Sequence, residues 1–257
     1  MTTLDLVGTD KQKRWANSII EKLQISNPGI VLPEVRSAEW WIKQRDNSIE
    51  DIISNSATGV KVSTPFTRKY PMFSRSDAIA AIQALGSDFI VIDLETSGLK
   101  RDEDEIIEVA IVHHGTGEIL LNTLLRPMDM ERYRNSHAKG ITKIEAEELK
   151  QAPTFLEVAP RIEIILNAYS ACSYNASFDF PFLQFQYIRY GLPVPKITAS
   201  CAMRIFSAWL DTDTNISLER ACKLLKIDQE AHGKPHRALS DVLVTIELLK
   251  RLAESER

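Results

Sequence analysis

The feature that most constrains the fold is a run of β-branched and aromatic residues, 89–92, followed by Asp93, Glu95 and a turn at Gly98. Such a run predicts a buried β-strand. Because strand side chains alternate between two faces, Asp93 and Glu95, two residues apart, should point the same way. Holding two like charges together is unfavourable unless a cation lies between them, and hard divalent cations prefer oxygen ligands. The pair alone leaves two interpretations open: a metal site, or polar residues at a loop mouth or a helix cap.

The composition indicates a globular protein that can bury a sizeable core, since 44% of its 257 residues are hydrophobic. No apolar run approaches the roughly 20 residues of a membrane span, and the N-terminus lacks the layout of a signal peptide. We therefore expect no membrane association and a cytoplasmic location. The three cysteines form no CxxC pair and favour reduced core thiols over a zinc site or disulfides: Cys172, Cys201 and Cys222.

The net charge is -4, and the acidic excess lies in the C-terminal part of the chain. Proteins that bind nucleic acid are more often basic, so this balance argues against such a ligand. The objection weakens if several of the acids hold divalent cations.

The N-terminal residues 1–60 predict a small helical module of unknown role. They place tryptophans and aliphatic residues at helical spacing or in short clusters, namely Trp15, Ile19, Leu23, Trp40 and Trp41. Two interpretations of the tryptophans remain open: an aromatic and basic surface for nucleic acid, or the core of a very small domain. Residues 61–85 are interpreted as a linker with a lead-in helix at its end, and residues 86–257 as the larger domain.

The larger domain has strand patterns first and helix patterns after them. We predict a β-hairpin of residues 106–112 and 118–125, with His113 and His114 solvated at its turn. Further on, the patterns predict a helix opening at Pro153, a strand at 169–174, and helices at 182–190, 202–209, 218–225 and from about 237 onward. With one βαβ crossover, this order predicts an α/β fold in which helices flank a mixed sheet.

Two further acids and one histidine lie at the ends of these elements. Asp179 falls at the junction between the strand 169–174 and the next helix, where a helix cap is the alternative to a functional role. Asp241 lies in the last helix. His236 and Asp241 would face apart on one continuous helix, so they converge only if His236 lies on the preceding loop, which Pro235 favours.

Three motifs together resemble, in this order, the exonuclease motifs of the DnaQ-like, or DEDDh, 3′-to-5′ exonuclease family. They are Asp93-x-Glu95-Thr96-x-Gly98, Asn175-x-x-Phe178-Asp179 and His236-Arg237-Ala238-Leu239-x-Asp241. The resemblance spans about residues 89–252. One departure is Lys139, which stands where the family commonly has a histidine.

The resemblance implies an RNase H-like sheet and two divalent ions, Mg or Mn. The implied ligands are four carboxylates: Asp93, Glu95, Asp179 and Asp241. It also implies that His236 takes a proton from the attacking water. The chemistry is consistent, because two cations can stabilise the attacking and leaving oxygens of a phosphodiester, and histidine exchanges protons near neutral pH.

The same resemblance assigns a set of substrate-binding residues: Thr96, Ser97, Gly98, Leu99, Asn175 and Phe178. Thr96 and the Ser97-Gly98 backbone would hold the terminal 3′-OH, and Leu99 would wedge against the last base. Phe178 would pack in the core or stack on a base.

The implied function is 3′-to-5′ exonuclease action on single-stranded nucleic acid, with DNA favoured over RNA, releasing nucleoside 5′-monophosphates. A polymerase or repair protein would be a fitting partner. The alternatives are an exoribonuclease of the RNase T or oligoribonuclease type, a catalytically silent module that binds strand ends, and an endonuclease.

Overall fold

A computed structural model of the chain describes residues 74–254. The interpretations of residues 1–60, and of the linker up to residue 73, lie outside the described residues. In chain order the elements are α1 (Arg75–Leu85), β1 (Phe89–Thr96), β2 (Ile106–His113), β3 (Ile119–Leu124), α2 (Met130–Arg134), α3 (Ala138–Thr142), α4 (Ala146–Gln151), α5 (Phe155–Ala168), β4 (Ser170–Ser173), α6 (Ala176–Arg189), β5 (Ala199–Cys201), α7 (Ala202–Trp209), α8 (Leu218–Leu225), a 3-10 turn (Glu230–His232) and α9 (Ala238–Glu254).

The strands form one five-stranded mixed sheet in the order β3-β2-β1-β4-β5. β1 pairs antiparallel with β2, which pairs antiparallel with β3, whereas β4 and β5 continue the sheet in parallel with β1. The mixed sheet with flanking helices is therefore confirmed. β5 was not predicted, because three residues are too few to show a period.

The core lies around the two central strands. All of β2 is buried, and in β1 the run from Phe89 to Ile92 is buried before the acids begin. α9 packs its apolar residues, among them Val242 and Leu249, against β1 and β2. Burial of each such aliphatic side chain stabilises the fold by about 1.5 to 3 kcal/mol. β1 carries Asp93 and Glu95, and α9 carries Asp241. The packing of α9 on the central strands therefore sets the relative positions of these three acids.

The expected lead-in helix is α1, which packs against α7 and α9. Ser74 and Asp77 form a capping box at its N-terminus, so the helix begins where its sequence supplies partners for the first backbone N–H groups. The guanidinium of Arg75 lies 4.4 Å from the ring centroid of Trp209 on α7. α1 is therefore packed into the fold of the larger domain.

The prediction of solvated histidines at the β2–β3 turn was wrong. His113 is buried, and its Nε2 lies 3.0 Å from the Asp88 carboxylate. His114 stacks on Phe89 with ring centroids 4.3 Å apart, and neither of its ring nitrogens has a hydrogen-bond partner. The reason is that β2 extends through His113 and the chain then folds back over the start of β1, where the His114 N–H donates to the Phe89 carbonyl at 2.8 Å.

Three short helices, α2 to α4, fill the connection between β3 and α5 and were not predicted. They form a small second core in which Tyr133 and Leu149 cover Ile107 of β2. The Tyr133 hydroxyl donates to the Ile144 carbonyl at 2.7 Å. This packing holds α2 and α3 beside the acidic end of β1.

Among residues 74–254, no helix is long and apolar enough to cross a membrane. The three cysteines are buried and free, as predicted.

Candidate active site

Three carboxylates converge at the end of β1. Asp93 and Glu95 are half-buried and alternate with buried neighbours, so they share one face of the strand as predicted. Asp241 in the first turn of α9 faces them, because α9 packs across β1 and β2. Each of the three offers one carboxylate oxygen, and these oxygens all lie within 4.8 Å of one another.

Asp179 lies beside this group of three, in the first turn of α6. It is 3% exposed, and its oxygens accept hydrogen bonds from the Leu94 N–H at 3.3 Å and the Ser173 hydroxyl at 2.8 Å. These bonds fix the carboxylate between β1 and β4. An ionised carboxylate has about four acceptor positions, so Asp179 keeps capacity for a further ligand.

Burial raises the pKa values of all four acids, and repulsion from neighbouring carboxylates adds to the shift. Burial raises the pKa of Asp93, and repulsion from Asp179 and Glu95 adds to the shift. For Glu95, burial and then repulsion from Asp241 and Glu108 raise the pKa to about 8. Burial also raises the pKa of Asp179 to about 7 and that of Asp241 to about 6. These carboxyls are held where they oppose one another's ionisation.

This acid cluster fits a divalent cation. Besides the convergent oxygens, one buried oxygen of Asp241, Oδ1, has no hydrogen-bond partner. Buried polar atoms without a partner are uncommon, and one on a carboxylate that faces two other acids is available to a cation. An all-oxygen donor set of this kind suits hard cations.

His236 lies on the loop that joins the 3-10 turn to α9, as its convergence with Asp241 requires. The side chain is exposed, and the backbone has a φ of 60°, in the left-handed region. The positive charge of a protonated His236 and its backbone N–H both lower the pKa of Asp241, opposing the effect of burial. The structure thus places an exposed imidazole at the edge of the acid cluster.

Two residues of the site were not assigned a role from the sequence. Glu108 of β2 is 3% exposed and pairs with Arg237, the residue after His236, through contacts of 2.8 to 3.1 Å. The signals were a lone acid inside the apolar stretch 106–112 and an arginine beside the candidate base. Neither sequence feature predicts that Glu108 and Arg237 pair, because the pairing depends on how α9 packs against the sheet.

A cleft of about 610 Å³ opens beside Glu95. Residues from the β1 turn, α2, α3 and α6 line it, among them Thr96, Ser97, Gly98, Leu99, Arg132, Ile141 and Phe178. The Leu99 side chain is 83% exposed, and that of Phe178 both lines the cleft and packs on the core. Five of the six expected substrate-binding residues therefore meet in one cleft.

The sixth, Asn175, is not among the residues that line the cleft. Its amide oxygen accepts a hydrogen bond from the Ser177 hydroxyl at 2.7 Å.

Two of the expected substrate-binding side chains form hydrogen bonds within the protein. The Thr96 hydroxyl donates to the Gly98 carbonyl at 2.6 Å, and the buried Ser97 hydroxyl accepts from the Glu105 N–H at 2.9 Å.

The turn after β1 is held by a close approach of Gly98 to Asp104. A Cβ at position 98 would overlap the Asp104 carboxylate, so only glycine fits there without a shift. Asp104 in turn accepts from the Lys100 N–H and from Arg132 of α2, each at 2.8 Å. The turn that presents Leu99 is thereby tied to the opposite wall of the cleft.

The sheet order, with acids delivered to the end of its central strand, defines an RNase H-like exonuclease fold. The chain belongs to the RNase_T exonuclease family, whose model matches residues 90–249. That family implies divalent metal ions.

Relatives of known class agree with this family membership. The chain is 30% identical over 182 residues to a DNA polymerase III PolC-type of Halalkalibacterium halodurans, covering 68% of this chain and 12% of that protein. It is 29% identical over 182 residues to an uncharacterized exonuclease, CP81, of Escherichia phage 186, covering 66% and 90%. A 3′-5′ exonuclease DinG of Staphylococcus epidermidis is 28% identical over 172 residues, covering 65% and 18%. The chain thus spans only a small part of the PolC-type and DinG proteins.

Solved structures share the fold at low identity. The nuclease domain of 3′hExo, a DEDDh family member bound to rAMP, matches with a TM-score of 0.53 and 19% identity, covering 65% of this chain and 92% of that one. Escherichia coli Exonuclease I in complex with a dT13 oligonucleotide matches with a TM-score of 0.52 and 18% identity, covering 64% and 40%.

Proposed function

We propose that the chain is a 3′-to-5′ exonuclease that removes nucleoside 5′-monophosphates from the 3′ ends of single-stranded DNA. The observation that carries this proposal is the convergence of Asp93, Glu95 and Asp241. Glu95 also lines the cleft, and His236 lies close enough to Asp241 to lower its pKa. The carboxylate cluster suits the phosphodiester of a nucleic acid, and the exposed apolar side chains of the cleft suit its bases.

Asp93, Glu95, Asp179 and Asp241 would hold two divalent ions, Mg or Mn. Bound there, such ions supply positive charge that stabilises the attacking and leaving oxygens of the phosphodiester. Asp179, which interacts electrostatically with Asp93 and Asp241, would be the fourth ligand.

His236 would act as the general base. Its neutral imidazole accepts a proton from a water, whose oxygen attacks the last phosphorus while the bond to the preceding 3′ oxygen breaks. The leaving 3′ oxygen takes a proton from solvent, so that the shortened strand ends in a 3′-OH. An exposed imidazole suits this task, because it can return its proton to bulk water after each turnover.

The cleft would bind the terminal nucleotide. Leu99 would wedge against the last base, a role that its strong exposure in the cleft supports. Phe178, which also lines the cleft, would pack beneath the nucleotide or stack on its base. The backbone of Ser97 and Gly98, with Thr96, would receive the 3′-OH. Asn175 would act on substrate only after giving up its bond with Ser177.

DNA is preferred over RNA as the proposed substrate because the polymerase among the similar proteins is named as a DNA polymerase. A polymerase or a repair protein is the partner that this similarity favours. RNA is the second candidate, favoured by the 3′hExo domain of the same fold, which was solved with rAMP.

Digestion of matched DNA and RNA oligomers, labelled at either end and supplied with Mg²⁺ or Mn²⁺, tests the proposal. A 3′-to-5′ exonuclease gives mononucleotides from the 3′ label and a shortening ladder from the 5′ label. Faster digestion of RNA would replace the DNA assignment, and cleavage of circular DNA would indicate an endonuclease. Binding without digestion would indicate a silent end-binding module.

We also propose that the catalytic domain begins with α1 and that residues 1–60 are a separate module. The capping box at Ser74 and the packing of α1 on α7 and α9 support this start. A fragment that starts a few residues before Ser74 should digest short oligomers like the full chain. Loss of activity in that fragment, with its melting temperature preserved, would mean that the preceding residues complete the active site.

A further inference from the structure

We propose that Glu108 and Arg237 form a positioning pair that sets the place of His236, and that Glu108 is not a metal ligand. This inference rests on the proposed function, because it assigns residues that act through the general base. Neither residue touches the reacting atoms in this scheme.

Both carboxylate oxygens of Glu108 accept hydrogen bonds from N–H donors. Oε1 accepts from Arg237 Nε at 3.1 Å and from Nη2 at 2.8 Å, while Oε2 accepts from Arg237 Nε at 3.1 Å and from the Ala238 N–H at 3.0 Å. The guanidinium approaches the carboxylate side on, in the forked geometry that gives arginine its directional strength. A carboxylate with both oxygens committed in this way has little left to offer a cation, although it lies directly opposite Glu95 in the sheet.

The same contacts fix the chain on the C-terminal side of His236. Arg237 and Ala238 are the next two residues, and both are bound to one buried carboxylate on β2. Ala238 is the first residue of α9, so Glu108 satisfies an N–H that lacks a partner within the helix. A negative charge at this end of a helix is also electrostatically favourable.

The loop itself needs such an anchor, because His236 has a left-handed φ of 60°. A non-glycine residue in this region is strained unless its surroundings hold it there. Glu108 therefore connects the rigid centre of the sheet to an exposed imidazole. A small displacement of a catalytic group can cost a large factor in rate, on the order of 10²-fold for about 1 Å.

Arg237→Lys is the principal test, since lysine keeps a cation beside the buried Glu108 but cannot form the fork. Glu108→Gln is the second variant, because it keeps the shape and an acceptor for the Ala238 N–H. We expect kcat to fall roughly 10-fold or more in each, with KM nearly unchanged. The rise in melting temperature on adding Mn²⁺ without substrate should remain, since both variants leave the four proposed ligands in place.

The matched control is Arg251→Lys. Arg251 lies on the same helix and also pairs with a glutamate, Glu247 at 2.7 Å, but it is at the opposite end of α9. This variant should keep the wild-type kcat. A loss as large as that of Arg237→Lys would mean that any weakened arginine pair on α9 has the same effect, against a positioning role.

A double-mutant cycle with His236→Gln separates positioning from general stability. If Arg237 acts through His236, adding Arg237→Lys to His236→Gln should lower kcat by less than about threefold. Full additivity would overturn the inference, as would loss of the Mn²⁺ response in Glu108→Gln, which would make Glu108 a ligand.

An NMR readout of the His236 ring does not depend on activity. Arg237→Lys should shift and broaden the imidazole signals of His236, and Arg251→Lys should leave them unchanged. Unchanged signals in both variants would overturn the positioning role. A chain that shows these shifts but digests no nucleic acid would contradict the proposed function and leave the contact between the pair and the loop established.

Discussion

Glu95 of β1 lies directly opposite Glu108 of β2, and Arg237 binds Glu108 at 2.8 Å. Opposite residues of an antiparallel pair project from the same face of the sheet, so the two carboxylates are neighbours. The arginine neutralises one of them, whereas burial and repulsion raise the pKa of the other to about 8. The charge of Glu95 is thus the one that a bound cation would compensate.

Glu95→Gln should therefore abolish both cation binding and nuclease activity. Glutamine keeps the size of the side chain but removes the charge, so we expect at least about a 10²-fold loss of rate. The melting temperature should no longer rise on adding Mn²⁺. Asp213→Asn, an exposed change outside the cluster, is the control and should behave like wild type. A Glu95→Gln protein with near wild-type activity would remove Glu95 from the metal site.

The stability of the metal-free protein should fall as pH rises. The folded pKa values of Asp241, Asp179 and Glu95, about 6, about 7 and about 8, exceed the values near 4 of an unfolded chain. Between the unfolded and the folded pKa values, the folded state binds more protons than the unfolded state. The contribution of these acids to the free energy of unfolding is therefore complete below about pH 4. It is lost as the pH rises through their folded pKa values.

Melting curves in EDTA from about pH 6.5 to about pH 9 test this sign. The melting temperature should fall over that range, and saturating Mg²⁺ should reverse the fall. Glu95→Gln should show a shallower fall, because one of the groups with a raised pKa has been removed. A melting temperature that rises with pH in EDTA would contradict the raised pKa values of these acids.

Local patterns in the sequence were enough to predict the β1 face and the His236 loop. The alternation after Phe89 predicted that Asp93 and Glu95 share a face, and Pro235 favoured a break between His236 and the last helix. Both predictions agree with the structure because each depends on a few neighbouring residues.

Contacts between distant segments could not be predicted in the same way. The helix after β4 was expected at residue 182 but begins at Ala176. Proline favours the first turn of a helix, whereas Pro181 lies inside this one. Asp179 is consequently a buried residue of α6. The pairing of Glu108 with Arg237 joins residues 129 positions apart, and no periodicity records such a contact.

His114→Phe should make the fold less sensitive to acid. Burial, with the charges of Lys250 and His113, lowers the pKa of His114 to about 4, against about 6.5 in an unfolded chain. The unfolded state binds more protons between these values, so stability is lost as pH falls from about 6.5 toward about 4. Phenylalanine keeps the stacking on Phe89 and cannot be protonated.

The measurement is the difference in melting temperature between wild type and His114→Phe across this pH range. The difference should grow as pH falls, and it isolates His114 from the carboxylates, whose effect has the opposite sign. Nuclease activity should be unchanged, because Phe89 and Glu95 lie at opposite ends of β1. A constant difference would show that His114 does not titrate below its ordinary pKa.

Gly98→Ala should weaken substrate binding. The added methyl would overlap the Asp104 carboxylate, so either the turn or Asp104 must move. A shift of the turn displaces Leu99 at the cleft rim, and we expect KM to rise about 10-fold with a smaller change in kcat. Adding Asp104→Ala should recover part of the loss by making room. If Gly98→Ala binds oligomers like wild type, the turn does not contact substrate.

His236→Gln should lower the rate by about 10² to 10⁴ while leaving cation binding nearly intact. Glutamine is similar in length and can hydrogen-bond, but it does not accept a proton from water near neutral pH. His232→Gln is the control, since His232 lies four residues earlier in the 3-10 turn and outside the matching motif. Single-turnover rates with saturating Mn²⁺, beside the Mn²⁺-dependent rise in melting temperature, separate chemistry from cation binding. Because His236 is exposed and its ring contributes little to the core, its substitution should also leave the metal-free melting temperature close to wild type. If His232→Gln were the crippling change and His236→Gln the mild one, the base would lie on the 3-10 turn, and the Glu108–Arg237 pair would hold a loop without a catalytic residue.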